Sequence, residues 1–109
     1  MSAFQEIEDA INHFSDNDYP LLTKADLAVH FRNIEKLREA VVMLESKLSR
    51  RAQSYRSFLR FKAYLIALDD DAVSAKKFVE KNLTGLGKKA MDRMVQKIDE
   101  LANPITSSY

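Results

Sequence analysis

Both glycines of the sequence lie in one short segment, residues 83–89, which reads Leu-Thr-Gly-Leu-Gly-Lys-Lys. Gly85 and Gly87 flank one leucine, so the backbone can adopt positive φ and approach a ligand without an intervening Cβ. Lys88 opens the next predicted helix, and the free amides and positive dipole of a helix start attract phosphate oxygens. Lys88 and Lys89 add positive charge beside it. We call residues 83–89 the glycine turn and predict that it binds an anion.

The same residues also have an interpretation that needs no ligand. Gly85 would end one helix in a Schellman-type motif and Gly87 would cap the next, so that the glycine turn only joins two helices. Helix ends commonly use a single glycine, whereas Gly-Leu-Gly followed by two lysines is a rarer pattern. Binding is therefore the favoured interpretation, although the core of the motif is short.

The glycine turn resembles the helix-hairpin-helix motif of DNA-binding proteins, whose consensus is apolar-x-Gly-apolar-Gly followed by a basic helix. The matching residues are Leu83, Gly85, Leu86 and Gly87. The resemblance implies that amides of the turn contact DNA phosphates, largely independently of base sequence. Thr84 stands where the motif often has proline, and Met91 where it often has alanine, with Ala90 next to it.

A longer stretch, residues 50–102, is similar to the amino-terminal lyase domain of family X DNA polymerases. The similarity includes a Tyr55-Arg56 pair and an Ile-Asp-Glu sequence, residues 98–100, near the end of the last helix. Arg93 occupies the position of that family's Schiff-base lysine, and a guanidinium does not form the imine. The resemblance therefore implies DNA binding without lyase activity, and we predict no catalytic residue and no enzyme.

The residues predicted to contact DNA are Gly85, Leu86, Gly87, Lys88, Lys89, Arg93, Arg51 and Arg56. The last two belong to a basic stretch, residues 46–68, which has no acidic residue. Its cations are Lys47, Arg50, Arg51, Arg56, Arg60 and Lys62. They either reach phosphates away from the turn or form a solvated helix face. Its aromatic residues are Tyr55, Phe58, Phe61 and Tyr64, and helical spacing favours a place in the core over stacking on bases.

Apolar residues recur at spacings of three and four, which predicts an all-α fold, a compact bundle of about five helices ending in a helix-hairpin-helix. Ser2 and Gln5 are expected to cap a first helix whose apolar face consists of Phe4, Ile7, Ile11 and Phe14. Turn formers at residues 15–20 end this helix, because Pro20 disfavours helical geometry before it. Thr23 and Asp26 are expected to cap the second helix.

The second helix is predicted to be long and to carry an apolar stripe, residues 27–48. The stripe consists of Leu27, Phe31, Ile34, Leu37, Val41, Leu44 and Leu48. A helix continuing to Leu68 would be unusually long, so we expect a break near residues 49–54. Alternating charges beside the stripe are typical of a coiled-coil-like seam. The alternative function is therefore a helical protein–protein interaction or adaptor module, acting through a homodimer or another protein partner.

Three consecutive aspartates, residues 69–71, are expected to cap a helix over residues 72–81 because carboxylates accept the free amides of a helix start. The predicted buried side of this helix is Val73, Phe78 and Val79. A last helix is predicted over residues 88–102. Residues 72–102 thus form the predicted hairpin motif, and residues 105–109 a disordered tail.

Composition limits the classes of protein to which the chain can belong. It has 109 residues, 46% of them hydrophobic and 30% charged, which predicts one helical domain over residues 1–104. The sequence contains no cysteine, signal peptide or long apolar run, so we expect an intracellular protein, cytoplasmic or nuclear, without membrane contact. His13 and His30 lack the spacing of a helical metal pair, and we predict neither metal nor cofactor.

Overall fold

Six α-helices build the part of the chain that the computed structural model describes, residues 3–13, 19–47 and 54–103, and these ranges contain no strand. The helices are α1 (Ala3–His13), α2 (Tyr19–His30), α3 (Ile34–Lys47), α4 (Tyr55–Asp69), α5 (Ala72–Asn82) and α6 (Lys88–Ala102). The all-α prediction is confirmed. The count exceeds the expected five because the predicted second helix is interrupted.

Helix α4 lies at the centre of the bundle and packs against α2, α3, α5 and α6. Its side chains Phe58, Phe61 and Tyr64 are buried, which confirms that these aromatics belong to the core. The most deeply buried large side chains come from several helices and include Leu21, Leu37, Leu44, Phe61, Val79 and Ile98. One continuous hydrophobic cluster therefore joins the helices around α4.

The start of α2 differs from the predicted one. The helix begins at Tyr19 and contains Pro20 in its first turn, where the missing proline amide would have no intrahelical acceptor in any case. Thr23 lies one turn further along, and its hydroxyl donates to the carbonyl of Tyr19 at 3.0 Å. The predicted cap at Thr23 and Asp26 was therefore wrong, because proline is tolerated at a helix start.

The predicted long second helix is divided at Phe31–Asn33 by a turn that contains no glycine. Arg32 has φ 55°, and its amide donates to Val29 while that of Asn33 donates to Ala28, the hydrogen bonds of a Schellman motif. The Asn33 side chain then accepts from the amide of Lys36 at 3.1 Å and caps α3. Sequence reasoning missed this break because it relied on glycine and proline as signals.

The boundary between α4 and α5 follows the prediction closely. The Asp71 carboxylate accepts a hydrogen bond from the amide of Ser74 at 2.6 Å and caps α5. This hydrogen bond lowers the pKa of Asp71 below its ordinary value of 3.8. Asp69, by contrast, is the last residue of α4 and pairs with Arg38 at 2.9 Å. Of the three aspartates, Asp71 is the one that caps α5.

The buried side of α5 was predicted only in part. Val79 is buried and Phe78 is half-buried, but Val73 is 62% exposed. Ala75 takes the buried position in the first turns of the helix instead. The prediction favoured the larger side chain, but the smaller Ala75 is the one that faces the core.

Part of the apolar stripe, residues 27–48, packs into the hydrophobic core of the bundle. Leu37, Val41 and Leu44 are all buried within the bundle. Phe31 is 61% exposed and lies in the turn between α2 and α3. The described part of the stripe therefore does not form a continuous external seam.

A buried lysine, which the sequence analysis did not single out, connects the first three helices. The Lys24 side chain is 3% exposed, and its Nζ lies 3.0 Å from Glu8 and 2.9 Å from Glu39. Lys36 also donates to Glu8 at 2.9 Å. The hydrogen bonds donated by Lys36 and then Lys24 lower the pKa of Glu8, and the hydrogen bond that Lys36 donates to Glu8 raises the pKa of Lys36. The charge of Glu8 is thus neutralised within the bundle.

Several predictions fall on residues outside the described ranges. These are the cap at Ser2, the apolar residues Phe14 and Leu48, the turn at residues 15–18, and the tail of residues 105–109. The predicted break near residues 49–54 also lies mostly outside them. The structure describes its two sides, where α3 ends at Lys47 and α4 begins at Tyr55.

Candidate nucleic-acid interface

The backbone of the glycine turn changes direction within a few residues between α5 and α6. Leu83 is 3% exposed and caps the end of α5, its amide donating to the carbonyl of Val79 at 2.8 Å. Gly85 follows with φ +84°, a conformation that favours glycine. Gly87 has extended backbone angles and occupies the N-cap of α6. Thus one buried leucine anchors the turn, and the glycines allow its bend.

A run of backbone amides in the turn is left without an acceptor. After Leu83, the next amide that donates to the described backbone is that of Met91, which bonds to the carbonyl of Gly87 at 3.0 Å. Among the described residues, the amides of residues 84–90 have no hydrogen-bond partner. Buried amides are almost always paired, so unpaired ones must be solvated or available to an external acceptor.

The turn is open to solvent rather than packed into the core. Gly85, Gly87, Lys88 and Lys89 are exposed, whereas Leu86 is partly buried and packs against the core cluster. A Cβ placed at Gly87 would meet no heavy atom within 4 Å. The described chain therefore leaves room beside the N-cap of α6, where an oxyanion is able to approach the amides.

Three arginines from two helices surround this turn. An Nη of Arg56 would lie 4.0 Å from a Cβ placed at Gly85. Arg56 and Arg60 of α4, together with Arg93 of α6, line a groove of about 350 Å³ beside Leu86, which we call the turn groove. Its other lining residues are Ser57, Tyr64, Leu83, Ala90 and Met94. The predicted contacts Arg56 and Arg93 are therefore brought together next to the glycine turn.

The positive charges at the turn groove are not neutralised by the described part of the chain. No described carboxylate lies within ion-pair distance of Arg56, Arg60 or Arg93, nor of Lys88 and Lys89. Other cations of the bundle are paired; for example, Lys76 of α5 lies 2.8 Å from Asp99 of α6. Cations that lack an internal partner are the ones that an external polyanion can use.

The basic stretch of residues 46–68 does not act as one surface. Lys62 pairs with Glu45 at 2.9 Å, on the side of α4 that faces α3. The Arg60 guanidinium lies 4.5 Å from the centre of the Phe61 ring, in the range of a cation–π contact. Arg56 is exposed, and Arg51 lies outside the described residues. The stretch is thus divided between the turn groove and the contact with α3.

Arg60, Ser57 and Tyr64 are groove residues that were not among the predicted contacts. A sequence signal for Arg60 existed, since it follows Arg56 by four residues and therefore lies on the same helix face. Its proximity to Arg93 depends on the packing of α4 against α6, which no local pattern reveals.

The arginines of the turn groove and the two lysines beside it are groups that bind anions. Guanidinium and ammonium groups remain charged at neutral pH and donate hydrogen bonds to anionic oxygens. The described residues that line the groove include no histidine, cysteine or carboxylate that would serve as a general base for the Ser57 or Tyr64 hydroxyl. Within the described ranges, no three His, Asp or Glu side chains are grouped so as to hold a metal ion.

Comparisons with protein-family models, with curated proteins and with solved structures find no match to this chain. No helix in the described part of the chain combines the length and the apolar character that crossing a bilayer requires.

Proposed function

We propose that this protein is a non-catalytic DNA-binding module that holds the phosphate backbone through a helix-hairpin-helix formed by α5, the glycine turn and α6. One observation supports the proposal most directly. The unpaired amides of residues 84–90 lie at the start of α6, beside arginines that have no acidic partner in the described chain. Amides that converge on a helix N-terminus are a recurrent phosphate site.

The proposed contacts do not depend on base sequence. Main-chain amides, Lys88 and Lys89 contact phosphate oxygens, and these contacts position a duplex without reading its bases. The described aromatic rings of α4 are largely buried, with Phe58 and Phe61 each 2% exposed, which leaves them unable to stack on bases. We therefore propose that the protein contacts the sugar–phosphate backbone of DNA and not its bases.

The net charge of +1 makes the local arrangement of charges decisive. A protein of nearly zero net charge gains little from long-range attraction to a polyanion. If Arg56, Arg93, Lys88 and Lys89 each neutralise one phosphate, the logarithm of the binding constant should fall with the logarithm of salt concentration with a slope of about −3.6. A protein whose cations neutralise fewer phosphates would show a shallower slope.

Fluorescence anisotropy with a labelled duplex, measured over a series of salt concentrations, tests the proposal. We expect saturable binding, a similar affinity for duplexes of unrelated sequence, and a slope at least as steep as the value above. The absence of binding at low salt would contradict the proposal. Binding that depends on one base sequence would also contradict it, because amide contacts to phosphate cannot produce that discrimination.

A further inference from the structure

A second groove adjoins the turn groove along α4. It has a volume of about 510 Å³ and is lined by residues of α2, α4 and α6. Arg60 and Tyr64 line both grooves. The two grooves are therefore neighbours that share one wall, and a ligand chain leaving the first passes Arg60 before it enters the second.

The cations along the two grooves repeat with the period of a helix turn. Arg56 and Arg60 are four residues apart on α4, and Arg93 and Lys97 are four residues apart on α6. The first member of each pair lines the turn groove, and Lys97 with Arg60 lines the second groove. Four residues of helix rise about 6 Å, which is close to the axial rise of two nucleotides along one DNA strand.

The second groove also contains an acidic residue, whose negative charge reduces the attraction of the cations for a phosphate. Asp26 of α2 lines it, is exposed, and has no hydrogen-bond or ion-pair partner among the described residues. Lys97 pairs with Glu100 at 3.6 Å, and both side chains are substantially exposed. An exposed pair of this kind contributes little and exchanges readily for another anion. Lys97 is therefore available to a phosphate, whereas Asp26 repels one.

We propose that the DNA backbone held at the glycine turn continues across Arg60 into the second groove, where Lys97 contacts a further phosphate and Asp26 weakens the attraction. This inference rests on the proposed function, because it extends the path of the same ligand. The proposed binding surface then spans α2, α4 and α6. It also gives an acidic side chain a measurable negative effect on affinity, which a purely structural aspartate would not have.

The test compares Lys97→Ala and Asp26→Asn with matched controls that line neither groove, Lys77→Ala on α5 and Glu6→Gln on α1. Anisotropy with a duplex long enough to pass both grooves is measured over a salt series. We expect Lys97→Ala to weaken binding and to reduce the magnitude of the salt slope by about 0.9. We expect Asp26→Asn to tighten binding about threefold, the size of an exposed charge–charge interaction. The control variants change only the net charge and should bind nearly as the unmodified protein does.

Thermal melts of each variant separate effects on binding from effects on folding. If Lys97→Ala and Asp26→Asn bind no differently from their controls while Arg56→Ala still weakens binding, the path through the second groove is wrong and the proposed function stands. If the unmodified protein does not bind the duplex at all, the proposed function itself fails. The two failures are therefore distinguishable.

Discussion

An Nη of Arg32 lies 2.8 Å from the carbonyl oxygen of Glu100, across 68 positions of sequence. The other Nη donates to the carbonyls of Leu101 and Asn103, each at 3.2 Å. These carbonyls belong to the end of α6, where the last turn of a helix has no intrahelical donors. The turn between α2 and α3 thus holds the far end of the helix that begins at the glycine turn.

Replacing Arg32 should destabilise the protein in a way that depends on the replacement. Arg32→Ala removes the three hydrogen bonds and keeps an L-residue at positive φ, so we expect a loss of about 2 kcal/mol in the free energy of unfolding. Arg32→Gly removes the same hydrogen bonds but also the left-handed strain of about 1 kcal/mol, so it should cost only about half as much. Urea denaturation measures both values. Equal losses in the two variants would mean that backbone strain at Arg32 is negligible.

The glycine turn offers a variant that affects binding without affecting the fold. Gly87 has φ −66°, and a Cβ there meets no protein atom, so Gly87→Ala should melt within a few degrees of the unmodified protein. The added methyl group hinders the approach of a phosphate to the free amides, and the loss of one such hydrogen bond predicts about tenfold weaker DNA binding. The salt slope should not change, since no cation is removed.

Gly85→Ala serves as the comparison. Its φ of +84° strains any L-residue, so this variant should lose about 1 kcal/mol of stability as well as affinity. Anisotropy and thermal melts together distinguish the two glycines. Undiminished binding by Gly87→Ala would remove the turn amides from the proposed contact.

Arg56 and Arg93 of the turn groove should each contribute one ionic contact. Arg56→Ala and Arg93→Ala are each expected to reduce the magnitude of the salt slope by about 0.9, and the double variant by about 1.8. Both side chains are exposed, so melting temperatures should change little. Lys77→Ala removes the same charge from a position outside both grooves and is the control. A slope that falls equally in the control and in the arginine variants would indicate attraction by net charge alone.

The ion-pair cluster around Glu8 predicts how stability depends on pH. The pKa of Glu8 is lowered below 4.5 by hydrogen bonds from Lys36 and Lys24, so the unfolded state binds more protons in this range. The stabilisation is complete above pH 4.5 and is lost as the pH falls through the lowered pKa. Glu8→Gln should therefore be less stable than the unmodified protein near neutral pH, and the difference should shrink in acid. Urea midpoints over a pH series measure it, and a difference that is constant with pH would contradict the assignment.

Much of the carboxyl-terminal half was predictable because its signals are local. Asp71 caps α5 through a hydrogen bond to a residue three positions away, and α6 covers residues 88–102 as expected. The positions of the two glycines also predicted the bend at the turn. Such features depend on neighbours in sequence, which capping and turn chemistry describe well.

Other features were decided only by the packing of the helices. The break at Arg32 is stabilised by carbonyls from the opposite end of the chain, and Lys24 is buried because carboxylates of α1 and α3 surround its ammonium group. The same holds for the turn groove, where Arg56 meets the glycine turn because α4 packs on both α5 and α6. The sequence by itself determined the helical class, the bounds of the last two helices and the glycine bend between them. Tertiary structure decided which cations stand beside those amides, because charges distant in sequence come together only when apolar faces pack.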